Sequence, residues 1–205
     1  MIALSKGALS KTAWRLMKSY WKSKEKWRAR GLLAGVIALS LGQVYMLVML
    51  NQWNNVFYNA LQERNFEVFW SLIGQFSLIA FGYIIMAVYA IYVKQILEIK
   101  WRTWMTSRYL DEWLHGQTYY RLQVLGGDGV DNPAQRVSDD IGMLVKLTLS
   151  LFIGLLKQVT TLVAFVVILW QLSGALDLPV GDTVLSVPGY MVFVTLAYSV
   201  AGTWL

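Results

Sequence analysis

Residues 83–115 read YIIMAVYAIYVKQILEIKWRTWMTSRYLDEWLH, thirty-three positions without a glycine or a proline. The first eleven complete an uncharged run that spans residues 71–93. The rest brings in Lys94, Glu98, Lys100 and Arg102 with no loss of helix-forming character, so a helix that is apolar at one end continues into polar surroundings. Gly116 is the first stop signal, suited to the residue that follows a helix C-cap. Downstream, residues 131–135 read DNPAQ. Asn132 suits an N-cap, Pro133 the first helical position, and Gln135 can close a capping box. After that only Gly142 and Gly154 intervene before a turn at Ser173-Gly174. The spacing predicts helices of about 45 and about 40 residues, roughly 67 and 60 Å long. A bilayer core takes only ~30 Å of each. The surplus is an antiparallel helical hairpin over residues 94–146 that stands about 30 Å out of the membrane, with its tip at 117–131. A self-packed soluble loop is the alternative, but seven basic and seven acidic residues with few breakers read as solvated helix faces.

The rest of the chain supports the same class. Residues 31–50 carry no charge, residues 147–172 carry only Lys157, and a fourth apolar run starts near Gly189 and continues to Leu205. With 71–93, these are four candidate spans of an all-α polytopic membrane protein. They lack the alternating polarity that spanning strands need. Composition agrees: 57% of the residues are hydrophobic and 15% charged, where soluble domains average about 45–50% and about 25%. Mean hydropathy is +0.47. Disorder is excluded, since it needs low hydrophobicity and high charge. Without cysteine there is no disulfide scaffold or thiolate metal centre, and the one histidine cannot build an all-histidine site. No catalytic residue and no metal site is expected.

The charge is uneven. Residues 1–30 hold nine Lys/Arg and only Glu25 as an acid, a net +8, whereas the other 175 residues are net −2. Trp14, Tyr20, Trp21 and Trp27 interleave with those bases. Nucleic acid is one reading of such a stripe. A basic amphipathic segment on anionic lipid is the better one, because it runs straight into a span. Residues 1–30 hold nine Lys/Arg and 94–146 hold seven; 51–70 hold one and 173–188 none. This imbalance predicts a cytoplasmic N-terminus and a cytoplasmic 94–146 hairpin. The last apolar run reaches Leu205 without a basic flank, so the chain is expected to be a piece of a longer protein.

Paired long helices capped by a coupling segment suggest an exporter-type ABC permease domain. Specific segments add to this: Asn51-Gln52-Trp53-Asn54-Asn55-Val56-Phe57-Tyr58-Asn59-Ala60-Leu61, Lys100-Trp101-Arg102-Thr103-Trp104, Tyr119-Tyr120, Asp131-Asn132-Pro133-Ala134-Gln135-Arg136-Val137-Ser138-Asp139-Asp140 and Gly189-Tyr190-Met191-Val192. From about Trp14 onward the chain resembles the SbmA/BacA-like group of ABC permeases, and within it the YddA-like branch, where permease and ATPase share one chain. The resemblance implies six spans, a nucleotide-binding domain that uses ATP and Mg, a homodimer, and a bacterial inner-membrane location. This chain shows four spans and no phosphate loop: Gly126-Gly127-Asp128-Gly129 lacks the Lys, the Ser/Thr and the preceding strand. By itself it is therefore not expected to bind or hydrolyse ATP.

The expected coupling surface toward an ATP-binding domain is Tyr119, Tyr120, Asp131, Asn132, Pro133, Gln135, Arg136, Asp139 and Asp140, since aromatics with Arg and carboxylates suit a docking surface. Capping alone also explains Asn132, Pro133 and Gln135, and Arg136 with Asp139 or Asp140 can be a surface pair. Lys157 is the one charge inside a span. It either faces a bundle interior or wet cavity near mid-bilayer, or snorkels to the interface. Gln158 and Trp170, with Gln43 and Gln75, are weaker pathway candidates. His115 reads as a partner of the helix dipole, and 51–70 as an interfacial stretch or an extension of the first span. The function expected is the membrane part of an ATP-driven transporter. The alternatives are a proton-coupled importer of peptides or hydrophilic solutes, and a scaffold whose hairpin binds a soluble partner.

Overall fold

The computed structural model describes residues 18–115, 133–180 and 183–204. In chain order the elements are α1 (Lys26–Gln62), α2 (Phe66–His115), α3 (Pro133–Leu172), β1 (Ala175–Val180), β2 (Thr183–Pro188) and α4 (Tyr190–Trp204). By length and composition α1, Phe66–Asp111 of α2 and Ser138–Leu172 of α3 are long and apolar enough to cross a membrane. The long helices have the predicted lengths or exceed them: α2 has 50 residues and α3 has 40. α4 is apolar but has 15 residues, about 22 Å, short of a ~30 Å core. Large apolar side chains lie in the open along these helices, Leu78 at 76% and Leu151 at 71% exposure. Water would not tolerate such continuous apolar faces, whereas lipid solvates them.

The chain divides into two compact units, one of Met1–Ser40 with Tyr83–Gly154, the other of Leu41–Gly82 with Leu155–Leu205. The core of the first is built from two stripes at four-residue spacing: Leu97, Trp101 and Met105 on α2, and Ile141, Val145 and Leu149 on α3. Residues four apart share a helix face, so each stripe buries as a unit. Tyr20 and Ala29 complete the cluster. The Tyr20 ring stacks on Trp101 at 5.5 Å and 9°, and Trp21 meets Trp101 edge-on at 5.5 Å. Polar clamps surround this core: Lys94 Nζ donates to Ser150 Oγ at 3.1 Å, and the Arg102 guanidinium donates to Ser138 Oγ at 3.4 Å. Arg108 donates to Ser19 Oγ at 2.8 Å.

This packing corrects one expectation. The basic segment does not run straight into the first span, because residues 21–25 form turns. The Ser23 amide donates to the Tyr20 carbonyl at 3.1 Å, and the Glu25 carbonyl accepts from Ala29 N–H at 3.0 Å, so helix geometry starts at Lys26. The turns let Tyr20 and Trp21 reach Trp101, and burial of those rings outweighs helix continuity. Trp14 lies outside the described residues.

In the second unit α1 continues through Gln62, so most of 51–70 is an extension of the first span. The α1–α2 corner is a Schellman motif: Asn65 N–H donates to the Ala60 carbonyl at 3.0 Å and Arg64 N–H to that of Leu61 at 3.3 Å. Arg64 sits at φ 53°. Trp53 Nε1 donates to the Leu72 carbonyl at 2.8 Å, and its ring stacks on Phe57 at 4.7 Å.

A second correction concerns 173–188, where a simple turn was expected. An antiparallel hairpin stands there, in register from Ala175↔Pro188 to Val180↔Thr183. Its foot is closed by Gly189 N–H to the Gly174 carbonyl at 3.1 Å and by Met191 N–H to Ser173 Oγ at 3.2 Å. The strands comprise a small minority of an otherwise helical chain, and the helical membrane class stands.

Candidate functional site

Two candidate regions emerge, each within one unit. In the second unit, the ammonium of Lys157 on α3 donates to Oε1 of Gln43 on α1 at 2.8 Å. Gln43 is buried at 6% exposure and takes part in further interactions. It lies twelve residues past Gly31 and seven before Leu50, roughly 18 and 10 Å from the ends of the charge-free run. The bond therefore ties Lys157 to a side chain that lies within the charge-free run of α1. Gln43 is neutral and leaves the cation's charge uncancelled. Gln158, one residue on, is exposed, and so is Gln75. Trp170 packs its ring over Gly189 and meets Phe193 edge-on at 6.4 Å, at the foot of the β-hairpin.

The second region is the expected hairpin in the first unit. α2 and α3 stay paired well beyond their apolar runs, through Trp101, Met105, Ile141 and Val145 and through Arg102 and Ser138. Gly142 makes room for this: a Cβ there would lie 3.4 Å from the Arg102 guanidinium. Asp139 and Asp140 are exposed on the first turns of α3. Gln135 is exposed too and has an interaction partner. Pro133 and Arg136 lie in α3, but their side chains fall outside what is described, and so does any Arg136 pairing with Asp139 or Asp140. Tyr119, Tyr120, Asp131, Asn132 and 126–129 lie outside the described residues altogether. His115 closes α2, with its side chain likewise undescribed.

No phosphate-loop pattern occurs in the sequence. Among the described residues no three His, Cys, Asp or Glu converge as a metal seat. No step of a nucleotide reaction can be assigned to these residues.

Sequence reasoning missed two structural features that shape the regions. The β-hairpin had a signal in Gly181-Asp182 between two short apolar segments, the second of which carries the β-branched Thr183, Val184 and Val187. The Tyr20–Trp101 stack had none, since it joins residues 81 positions apart.

Residues 16–205 match the family described as ABC transporter transmembrane region 2. The chain is 35% identical over 189 residues to the inner membrane ABC transporter ATP-binding protein YddA of Escherichia coli, covering 92% of this chain and 34% of that protein. It is 30% identical over 193 residues to an uncharacterized ABC transporter ATP-binding protein of Haemophilus influenzae, covering 94% and 32%. Over 166 residues it is 33% identical to the chloroplastic ABC transporter D family member 2 of Arabidopsis thaliana, covering 79% and 23%. The chain thus spans about a third or less of the length of these curated relatives. No solved structure matches it. Helices able to cross a membrane, a long packed pair and the match over nearly the whole chain lead to one conclusion: the chain belongs to the ABC transporter transmembrane region 2 family and is the transmembrane part of an ABC transporter.

Proposed function

We propose that this chain lines half of a substrate pathway in a homodimeric, ATP-driven transporter of the SbmA/BacA-like group, in a bacterial inner membrane with the N-terminus cytoplasmic. The energy comes from an ATP-binding domain, on the same or a partner chain, that carries ATP and Mg. Relatives named ATP-binding proteins support that partner, and the excess of Lys/Arg in 1–30 and 94–146 supports the orientation.

One observation carries the reading: α2 and α3 are far longer than a bilayer requires. At ~1.5 Å per residue they measure about 75 and 60 Å, and their surplus is bonded together at Arg102–Ser138. A packed pair of helices transmits a displacement at one end to the other, because close-packed interiors resist compression. The coupling surface is Asp139, Asp140, Gln135 and Arg136 with the tip residues Tyr119, Tyr120, Asp131, Asn132 and Pro133. Lys157 with Gln43 is the polar point of the pathway, and Gln158 and Trp170 are its further candidates. Substrate binding can shift inward- and outward-open populations only by its differential affinity, so nucleotide turnover supplies the rest.

The test uses the full-length protein in proteoliposomes, with spin labels on the pathway helices. ATP is expected to change the label separation in the wild type. In an Asp139→Arg, Asp140→Arg variant hydrolysis should persist while the separation no longer responds. Absence of hydrolysis, with uptake that follows a pH gradient, would replace this reading by the proton-coupled one. A label response unchanged in the variant would remove the hairpin from the coupling route.

A further inference from the structure

The first unit contains a cavity of about 290 Å³. Its walls include Trp21, Leu33, Trp101, Leu149 and Phe152, and Lys18 is the charged residue among those that line it. A methylene takes about the volume of a water, so the space holds on the order of ten of them. A cavity with such apolar walls gains nothing from water, which needs two to four polar partners.

Its depth says what kind of molecule fits. Leu33 lies two residues inside the charge-free run 31–50, and Leu149 and Phe152 lie two and five residues inside 147–172. Trp101 lies eight residues beyond the run 71–93, about 12 Å past its end. The cavity therefore begins within hydrocarbon and ends at the level of headgroups. Residues 18–30 hold six bases against Glu25 alone, and Lys18, Lys22, Lys24, Lys26 and Arg28 are all exposed. An apolar slot with Lys18 on its wall, in a segment rich in exposed bases, is complementary to a molecule with a hydrocarbon chain and an anionic head.

We propose that this cavity binds one acyl chain of an anionic phospholipid, with the phosphate against Lys18 and the neighbouring bases. The aromatic walls at Trp21 and Trp101 suit the chain's upper part, since indole rings favour the interface between hydrocarbon and headgroups. The site rests only on the chain lying in a membrane, so it stands or falls independently of the transport reading.

The test is native mass spectrometry of the full chain released from membranes of equimolar phosphatidylglycerol and phosphatidylcholine. One phospholipid per chain is expected to remain bound, with phosphatidylglycerol favoured by about fivefold, the effect of one basic residue near an anionic surface. Lys18→Glu, at an exposed position, should abolish that preference without affecting the fold. Leu33→Trp should fill the cavity and remove the retained lipid. No retained lipid in the wild type, equal retention of both lipids, or a Lys18→Glu variant that keeps the preference would overturn the proposal. So would undiminished retention in a folded Leu33→Trp variant.

Discussion

The Lys157 ammonium donates to Gln43 Oε1 at 2.8 Å, joining side chains 114 positions apart on α3 and α1. The two arise from separate apolar runs. A cation among apolar helices is costly, and each hydrogen bond it makes there offsets part of that cost. Gln43→Leu leaves the ammonium without this acceptor and should destabilise the fold by about 1–3 kcal/mol. Replacing both, as Gln43→Leu with Lys157→Met, should recover much of the loss, because the ammonium is then no longer stranded. Thermal unfolding in detergent of the single and double variants measures this. A double variant as unstable as Gln43→Leu would refute the pairing's role.

Tyr20 gives a pH dependence. Its side chain is fully buried against Trp101, and among the described residues its hydroxyl has no hydrogen-bond partner. Burial pushes the phenol above its ordinary value of 10.0, and the Glu25 carboxylate adds to the shift. The folded state thus disfavours the phenolate. The sign follows: this contribution to stability is fully present below the unfolded value and is lost as the pH rises above about 10. Tyr20→Phe should therefore leave stability at pH 7 unchanged or raise it by up to about 1–3 kcal/mol, since an unsatisfied buried hydroxyl disappears. It should also flatten the alkaline limb of a stability profile taken by chemical denaturation between pH 7 and 11.

Gly189 and Gly174 separate two kinds of glycine requirement. Both have positive φ, 70° and 60°. A Cβ on Gly189 would also fall 2.5 Å from Trp170 Cε3, whereas one on Gly174 would meet nothing within 4 Å. Gly174→Ala should cost only the backbone strain of about 1–2 kcal/mol. Gly189→Ala should cost clearly more, because the Trp170 ring must move as well. Limited proteolysis within the β-hairpin is the readout, with cleavage rising further in Gly189→Ala.

At the α1–α2 corner an arginine stands where helices commonly place glycine. Arg64→Gly relieves a left-handed backbone worth about 1–2 kcal/mol, offset by glycine's entropy of about 0.5–1 kcal/mol. A net gain of up to about 1.5 kcal/mol is expected. Next to it, Asn65 Oδ1 accepts from Val68 N–H at 3.3 Å and its carbonyl from Phe69 N–H at 3.1 Å, the two bonds of an N-cap. Asn65→Ala should cost about 1 kcal/mol. Opposite signs at adjacent positions, read in one unfolding assay, make this a sharp check.

Gly142 and Gly189 show how differently legible the chain was. Gly142 reads from sequence as an interruption in a long helix, and α3 does pass through it unbroken. What sequence does not reveal is that the Arg102 guanidinium packs closely over Gly142, 3.4 Å from where a Cβ would sit. Gly189 reads as the start of an apolar run, whereas its position is fixed by Trp170 and by closure of a β-hairpin that hydropathy alone obscured. The aromatic residues of 51–70 were visible as a pattern, but their assembly with Leu72 across the corner was not.

By itself the sequence determined the membrane class, the two long helices α2 and α3, the start of α3 at Pro133 and the charge asymmetry. Each depends on local periodicity, capping chemistry or composition, all of which act within a few turns. Only the tertiary structure decided that Lys157 meets Gln43, that Tyr20 stacks on Trp101 by breaking the helix before Lys26, and that residues 175–188 pair as strands. Those outcomes depend on contacts between distant positions, where burial of a ring or a cation outweighs the local preference of the segment that carries it.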